Sequence, residues 1–344
     1  MPKRPKVTQR WKAIVEAFPK VSVTVLADLV ADEFVFGEIA RVSREAPVLI
    51  LKHRERTVVP GGGGNAIMNL ASLGVHAFPV GVLGDDETGG LLLAEFRKAN
   101  VPTDGIVRLK GHITTTKSRI LAGMSHTSRQ QVVRVDREAG PISEKRSVLS
   151  KLVKIARALA RQSDGLLVSD YGYGAATPKL LAQIRAIDWP PTTPIMLDSR
   201  YRMLEYVGAT AATPNEPEVE EALGITIGRD DAKLFAAGNR VRAQMGLESL
   251  VITRGRDGMV VFERDEPPQV IPIFGSDQAV DVTGAGDTVI ATFTAAVAAG
   301  ADARTAAQLA NLAGGIVVMK RGTATVSNQE LLAAVDQFAA AKET

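Results

Sequence analysis

Asp281-Val282-Thr283-Gly284-Ala285-Gly286-Asp287, running straight into the small and apolar residues 288–299, is the stretch on which the reading of this chain turns. Three small residues in a row let the backbone turn tightly and present consecutive N–H groups. The start of the following helix adds its dipole, so the segment is built as a cup for an anion. Asp287 falls in the first turn of that helix. An acid there can simply complement the dipole. Beside a phosphate cup, however, a carboxylate repels the ligand unless it has a task of its own. The task that fits is taking a proton from a hydroxyl that attacks phosphorus.

Around this segment the chain alternates helix and strand. Helices are predicted over 143–162, 177–187, 216–223, 231–246, 285–299, 302–319 and 328–341, and strands over 165–169, 195–198, 209–213 and 250–253. Upstream, residues 21–26 and 77–83 read as buried strands, and 66–73 and 87–99 as helices. Such alternation predicts an α/β fold, with a mostly parallel sheet covered by helices on both faces. Two polar, alternating stretches, about 33–59 and 114–137, do not fit that sheet. They predict a small separate β-sheet, a lid whose open face could cover a ligand.

A second glycine-rich segment, Pro60-Gly61-Gly62-Gly63-Gly64-Asn65, opens the helix at 66–73. Its glycines allow close approach of a ligand to the backbone, and Asn65 offers both a donor and an acceptor to a hydroxyl-rich ligand. Gly61-x-Gly63-x-x-Ala66 with Asp85 downstream also matches a dinucleotide-binding fingerprint. Against that, the charged run His53-Arg54-Glu55-Arg56 precedes it instead of an apolar strand. A plain flexible loop is the third alternative.

Composition removes several classes. There is no cysteine, hence no disulfide, thiolate metal site or cysteine nucleophile. No Gly-Lys dipeptide exists for a Walker A loop, no His-x-x-x-His pair and no Gly-x-Ser-x-Gly elbow. The net charge is +3, but residues 1–20 hold six basic residues against one acid, so the remainder is slightly acidic. That segment reads as a basic arm ahead of a globular body at 21–341. Nucleic acid is not expected as a partner. Charge interrupts the first apolar residues, so no secretory signal is read. The most apolar stretch, 289–301, is too short for a membrane span. A cytoplasmic protein without membrane contact is the expectation.

Taken in order, these segments resemble the PfkB/ribokinase family of carbohydrate kinases over about residues 21–341. Residues 281–287 resemble the family's C-terminal signature. Gly61–Asn65, with Gly81, Gly84-Asp85-Asp86 and Gly89, resembles its N-terminal signature. Thr213-Pro214-Asn215-Glu216-Pro217-Glu218 resembles its Asn-x-x-Glu motif, and Thr253-Arg254-Gly255-x-x-Gly258 its nucleotide-binding turn. The resemblance implies a ribokinase-like fold and an ATP-dependent kinase. Asp287 would be the catalytic base, and the amides of Gly284, Ala285 and Gly286 the anion hole. Asn215 and Glu218 would hold Mg²⁺, largely through water, although Glu218 also suits a helix start. Thr253, Gly255, Gly258 and Asn311, with Asn215, would contact the nucleotide. Asp281 and Thr283 would hold a monovalent cation, K⁺. Asp32, Gly62, Gly63, Asn65 and Asp170 would contact the sugar.

Within the family the likeness is greatest to kinases acting on the anomeric hydroxyl of a heptose 7-phosphate, in lipopolysaccharide-precursor synthesis. The shared stretches are residues 41–48, Thr116-Lys117-Ser118-Arg119, Val133-Arg134-Val135-Asp136, Ser169-Asp170-Tyr171 and Lys320-Arg321-Gly322-Thr323. A phosphorylated acceptor calls for cations. Arg41, Arg44, Lys117, Arg119 and Arg134 all lie in or beside the expected lid, where basic residues can equally protect solvated edges. Gly172-Tyr173-Gly174 stands where heptose kinases carry a lysine, and Asp198-Ser199-Arg200 where they read Asp-Pro-Lys. Ala27 stands where a glycine is usual. A His-x-Gly-His nucleotidyltransferase motif is absent, which predicts a stand-alone kinase. Another sugar or nucleoside kinase, or a non-catalytic sugar sensor on the same fold, are the alternatives. A homodimer through the lid strands is expected.

Overall fold

In a computed structural model, residues 7–123, 130–138, 140–142, 145–186, 189–275 and 278–343 are described. In chain order the elements are α1 (Val7–Ala17), β1 (Ser22–Ala27), β2 (Leu29–Val42), β3 (Leu49–Gly62), α2 (Gly63–Ser72), β4 (His76–Gly84), α3 (Glu87–Lys98), β5 (Ile106–Leu109), β6 (Thr116–Gly123), β7 (Gln130–Arg137), α4 (Arg146–Leu159), β8 (Gly165–Asp170), α5 (Pro178–Arg185), β9 (Ile195–Ser199), β10 (Ala211–Ala212), α6 (Glu216–Leu223), α7 (Asp231–Met245), β11 (Ser249–Thr253), β12 (Met259–Glu263), β13 (Gln269–Ile271), α8 (Ala285–Ala298), α9 (Ala303–Val317) and α10 (Asn328–Glu343).

Nine strands form the main sheet in the order β13-β12-β11-β10-β9-β8-β1-β4-β5. All neighbours pair in parallel except that β12 runs antiparallel to β11 and β13. The sheet separates two cores, and period-2 alternation assigns its side chains to them. In β1, Val23, Val25 and Ala27 enter the core shared with α1, α2, α8, α9 and α10, while Leu26 enters the one under α4, α5 and α7. Helix α8 is buried along almost its whole length between α2, α9 and the sheet, which its run of alanines and threonines permits. This packing fixes the helix start that carries Asp287.

The two polar stretches form the expected second sheet, ordered β3-β2-β6-β7. β2 leaves β1 after one residue, Asp28, and β3 runs directly into α2. The glycine segment is therefore not a flexible loop. Gly61 and Gly62 close the β2–β3 ladder opposite Val30 and Leu29, and Gly63 begins α2. A Cβ on Gly61 would lie 2.4 Å from an Asp32 carboxylate oxygen, and one on Gly63 would lie 2.6 Å from the Ala27 Cβ. The dinucleotide fingerprint fails here as well. Its glycines end an antiparallel lid strand, and Asp85 pairs with Arg108. Gly84 and Gly89 serve the lid's root instead, where Asp86 caps α3 and accepts from the Thr114 amide and hydroxyl just ahead of β6.

From Val7 onward the segment expected as a basic arm is a helix of the body. Trp11, Ile14, Val15 and Phe18 are buried, and Trp11 stacks on Phe338 of α10 at 5.1 Å. Their helical spacing makes one apolar face, which the charge count concealed. Arg10 and Lys12 pair with Asp302 and Asp336. Lys3, Arg4 and Lys6 lie outside the described residues. The strands β5, β12 and β13 are also additions to the sequence reading. Among the described residues no helix is long and apolar enough to cross a membrane.

Candidate active site

The Asp281–Asp287 segment ends as expected in a helix start. Gly284, at φ 77°, is the residue before α8 and carries no side-chain cap. A Cβ there would lie 2.4 Å from the Asn65 amide nitrogen, so glycine is required twice over. The Ala285 amide donates to the Val282 carbonyl at 3.2 Å. The amides of Gly286 and Asp287, without acceptors among the described residues, are left to form the cup. The space beside Gly286 is open.

Asp287 is buried, and both its oxygens are held. Asn65 Nδ2 donates to Oδ2 at 2.9 Å, and the Tyr171 hydroxyl donates to Oδ1 at 2.7 Å. Burial dominates its titration and lifts the carboxyl to about 7, despite these hydrogen bonds and the Lys117 ammonium, which pull the other way. Asn65 is itself fixed by Asn69, which donates to its carbonyl oxygens, and it reaches the Gly284 carbonyl as well. The two glycine segments of the sequence thus meet at one carboxylate.

Two cavities converge on the cup and share Thr253, Val282 and Gly286. The first, about 360 Å³, is largely apolar and is lined by Met259, Ile273, Val289, Val318, Gly258 and Asn311 among others. Gly258, at φ 81°, lets the chain pass Ile271, since a Cβ would lie 2.1 Å from that carbonyl oxygen. Asn311 donates to the Pro272 carbonyl at 2.8 Å. The second cavity, about 290 Å³, is polar and holds Asp198, Arg200, Asn215, Glu218 and Asp287. An apolar slot leading into a polar one that ends at free amides has the shape of a nucleotide, base first and phosphates last.

Asn215 and Glu218 form a capping box at the start of α6, each accepting from the other's amide at 2.9 Å. Burial raises the Glu218 carboxyl. Asp198 is pushed well up by burial and by the negative charges of Asp287, Glu218 and Asp170, and among the described residues no donor reaches its carboxylate. Carboxylates gathered in one polar cavity call for a cation. Among the described residues no three potential ligands could hold a metal by themselves. That donor set fits Mg²⁺, which keeps several waters and takes substrate phosphates as ligands. Asp281, expected with Thr283 beside a monovalent cation, accepts from the amides of Thr283 and Gly322 at 2.9 Å, one on each oxygen.

The lid supplies the opposite wall. Asp32 on β2 receives Arg119 of β6 in a buried ion pair, and its other oxygen accepts the Thr323 hydroxyl at 3.0 Å. Lys117 lies 5.6 Å from the centre of the Tyr171 ring, and burial and the nearby Arg200 lower its ammonium. Gly62, at φ 53°, makes room for that ring, since a Cβ would lie 3.3 Å from two of its carbons. Arg134 stands directly across the ladder from Arg119, on the same face, and is paired with Asp136. Arg41 is exposed nine residues beyond Asp32 along the same strand, roughly 30 Å away at the rise of a β-strand, and does not join this group. Asp170 is turned inward, where Ser199, Arg202, Tyr206 and the Gly172 amide occupy its oxygens.

Sequence reasoning did not single out Tyr171 or Asp28 as site residues, and it marked Asp198 and Arg200 only as departures within the expected acceptor site. The signal for Asp28 was available: a lone acid directly after a buried parallel strand stands at the carboxyl end of the sheet, where ligands bind. Its carboxyl, raised to about 6 by burial and the Asp170 charge, accepts from the amides of Tyr171, Tyr173, Ala175 and Ala176.

The profile of the pfkB family carbohydrate kinases matches residues 30–330, nearly all of this chain. The chain belongs to the pfkB family. It is 38% identical over 323 residues to the bifunctional protein HldE of Mesorhizobium japonicum, covering 93% of this chain and 63% of that one. It is 40% identical over 314 residues to the HldE protein of Geobacter metallireducens, covering 91% and 62%. The chain thus spans less than two thirds of the length of these relatives. Its fold is that of ribokinase from Arabidopsis thaliana in complex with ribose and ATP, with TM-score 0.68, 19% identity, and 92% and 98% of the two chains covered. It is also that of phosphofructokinase-2 from Escherichia coli in complex with potassium, with TM-score 0.74, 14% identity, and 93% and 99% covered. The expected ribokinase-like architecture is present.

Proposed function

We propose that this kinase transfers the γ-phosphoryl group of ATP to the anomeric hydroxyl of a heptose already phosphorylated at position 7, with Asp287 as the general base. The observation that carries the reading is the place of Asp287: buried, beside the free amides of α8, where the polar cavity meets the lid. The acceptor oxygen forms a bond to the γ-phosphorus while the bond to the β–γ bridging oxygen breaks, and Asp287 takes the hydroxyl proton. The amides of Gly286 and Asp287 and the α8 dipole favour the charge on the transferring group. Mg²⁺ carried by the nucleotide and held near Asn215 and Glu218 would neutralise phosphate charge. Asp32 and Asn65 suit sugar hydroxyls, and the closed lid excludes water from the phosphoryl group.

The phosphorylated acceptor is supported by Lys117, Arg119 and Arg134 sharing the inner face of the lid, and by the identity to HldE proteins. Arg41 lies too far along β2 to touch the same sugar from within one chain. A homodimer through the lid is supported by the exposure of β7, including Val132, Val133 and Val135. An intracellular ATP supply makes the cytoplasm the proposed location. The test is ADP release over a panel of heptose 7-phosphate, fructose 6-phosphate, neutral hexoses and pentoses, and nucleosides. The highest kcat/KM is expected on heptose 7-phosphate. A preference for neutral acceptors removes the substrate proposal and leaves the kinase.

A further inference from the structure

The hydroxyl of Tyr171 stands in the place where a reacting hydroxyl would be received. It donates to Asp287 Oδ1 at 2.7 Å, while Oδ2 is taken by Asn65 at 2.9 Å. The phenol is clamped from several directions. The Tyr171 amide donates to the buried carboxylate of Asp28 at 3.0 Å. The ring lies against Gly62, whose positive φ and missing side chain admit it, and under Lys117 of the lid. The ring also lines the polar cavity with Glu218 and Gly286. It thus forms part of the wall between the lid and the phosphate channel.

We propose that Tyr171 is a positioning residue that caps the base: it occupies Asp287 Oδ1 until the acceptor hydroxyl displaces it. This rests on the reading of Asp287 as general base. A kinase that holds ATP beside a base faces a competing reaction, attack by water on the same phosphorus. A water molecule can be activated only if it finds a free lone pair on the carboxylate aimed at the phosphoryl group. With the phenol on Oδ1 and the Asn65 amide on Oδ2, each oxygen already has one acceptor position filled, and a single weakly held water must compete with the phenol for the position on the cavity side. A sugar anchored at several points on Asp32, Asn65 and the lid has the binding energy to take the phenol's seat. The same hydrogen bond also favours the carboxylate form. Asp32 of β2 opposes that form by its charge and Lys117 of β6 supports it, while Asp198 of β9, Arg200 beyond it and Glu218 of α6 face Asp287 across the same polar cavity.

Tyr171→Phe keeps the ring and removes only the cap. Two changes are expected. The ratio of sugar-independent ATP hydrolysis to sugar phosphorylation rises several-fold. The acid limb of kcat/KM for the sugar moves upward by about one pH unit, the size of a lost hydrogen bond to a charged group. A residue that only fills space moves neither. An unchanged ratio, or an acid limb that stays in place, overturns the proposal. Nucleotide titration of the variant checks that the ATP site is intact. If Tyr171→Phe loses ATP binding, Gly62→Ala serves in its place, because its Cβ crowds the ring rather than deleting the hydroxyl. The same uncoupling is expected there, and its absence in a variant that binds ATP counts against the cap. Asp287→Asn, run in parallel, separates the two layers. If it keeps native turnover, the base and the cap both fall. If it loses turnover while Tyr171→Phe behaves as native, the cap alone falls.

Discussion

The helix start at α8 and the lid that faces it are built in opposite ways. At α8 each group has one conformation available. Gly284 is held at positive φ with no room for a Cβ, Asn65 is locked by Asn69, and Asp287 is gripped through both oxygens. On the lid, β7 is exposed along its whole length, and its half-exposed Arg134 is paired with Asp136 on the same strand. The contrast separates two demands. Moving charge onto a phosphoryl group needs preorganised dipoles, which a buried helix supplies. Choosing among sugars needs a surface whose side chains can be exchanged without disturbing those dipoles.

That division can be broken from the largest effect downward. Asp287→Asn should lower kcat by about 10²–10⁴-fold with ATP affinity near native, as measured by steady-state kinetics and nucleotide titration. A comparable loss of kcat from any lid substitution would erase the distinction. Arg119→Gln should lower kcat/KM for a phosphorylated sugar by about 10–100-fold, the value of a charged hydrogen bond, with KM for ATP unchanged. An equal loss on neutral sugars would show that Arg119 only orients Asp32. The pH profile sharpens the catalytic side. The carboxyl of Asp287 is raised to about 7, and a base must be ionised. kcat/KM should therefore fall tenfold per unit of pH below about 7 and level off above it. Arg134→Ala should change acceptor kcat/KM by less than about threefold, because a half-exposed cation already paired with Asp136 contributes little.

The same contrast explains what could be read from the sequence. Residues 281–287 were legible because their function requires backbone shapes that few residue types adopt, and glycine spacing records those shapes. The parallel sheet was legible from buried β-branched runs, and the lid from their polar counterparts. Helix α1 is hidden by its charge: basic residues dominate the count over 1–20, and the apolar face of Trp11, Ile14 and Val15 shows only at helical spacing. The inward turn of Asp170 depends on Arg202 and Tyr206, more than thirty residues away. Tyr171 illustrates the remaining difficulty. Nothing local in Ser169-Asp170-Tyr171 says that its phenol will meet Asp287, 116 positions later.

Asp28 gives the last consequence. It is the one residue between β1 of the large sheet and β2 of the lid, and its carboxylate gathers four amides of the segment 171–176. The root of the lid and the loop that carries the phenol are therefore tied at one residue. The carboxyl that anchors the loop beneath the phenol is thus set one residue from the lid's first strand, a splice between the two sheets rather than a contact with any ligand.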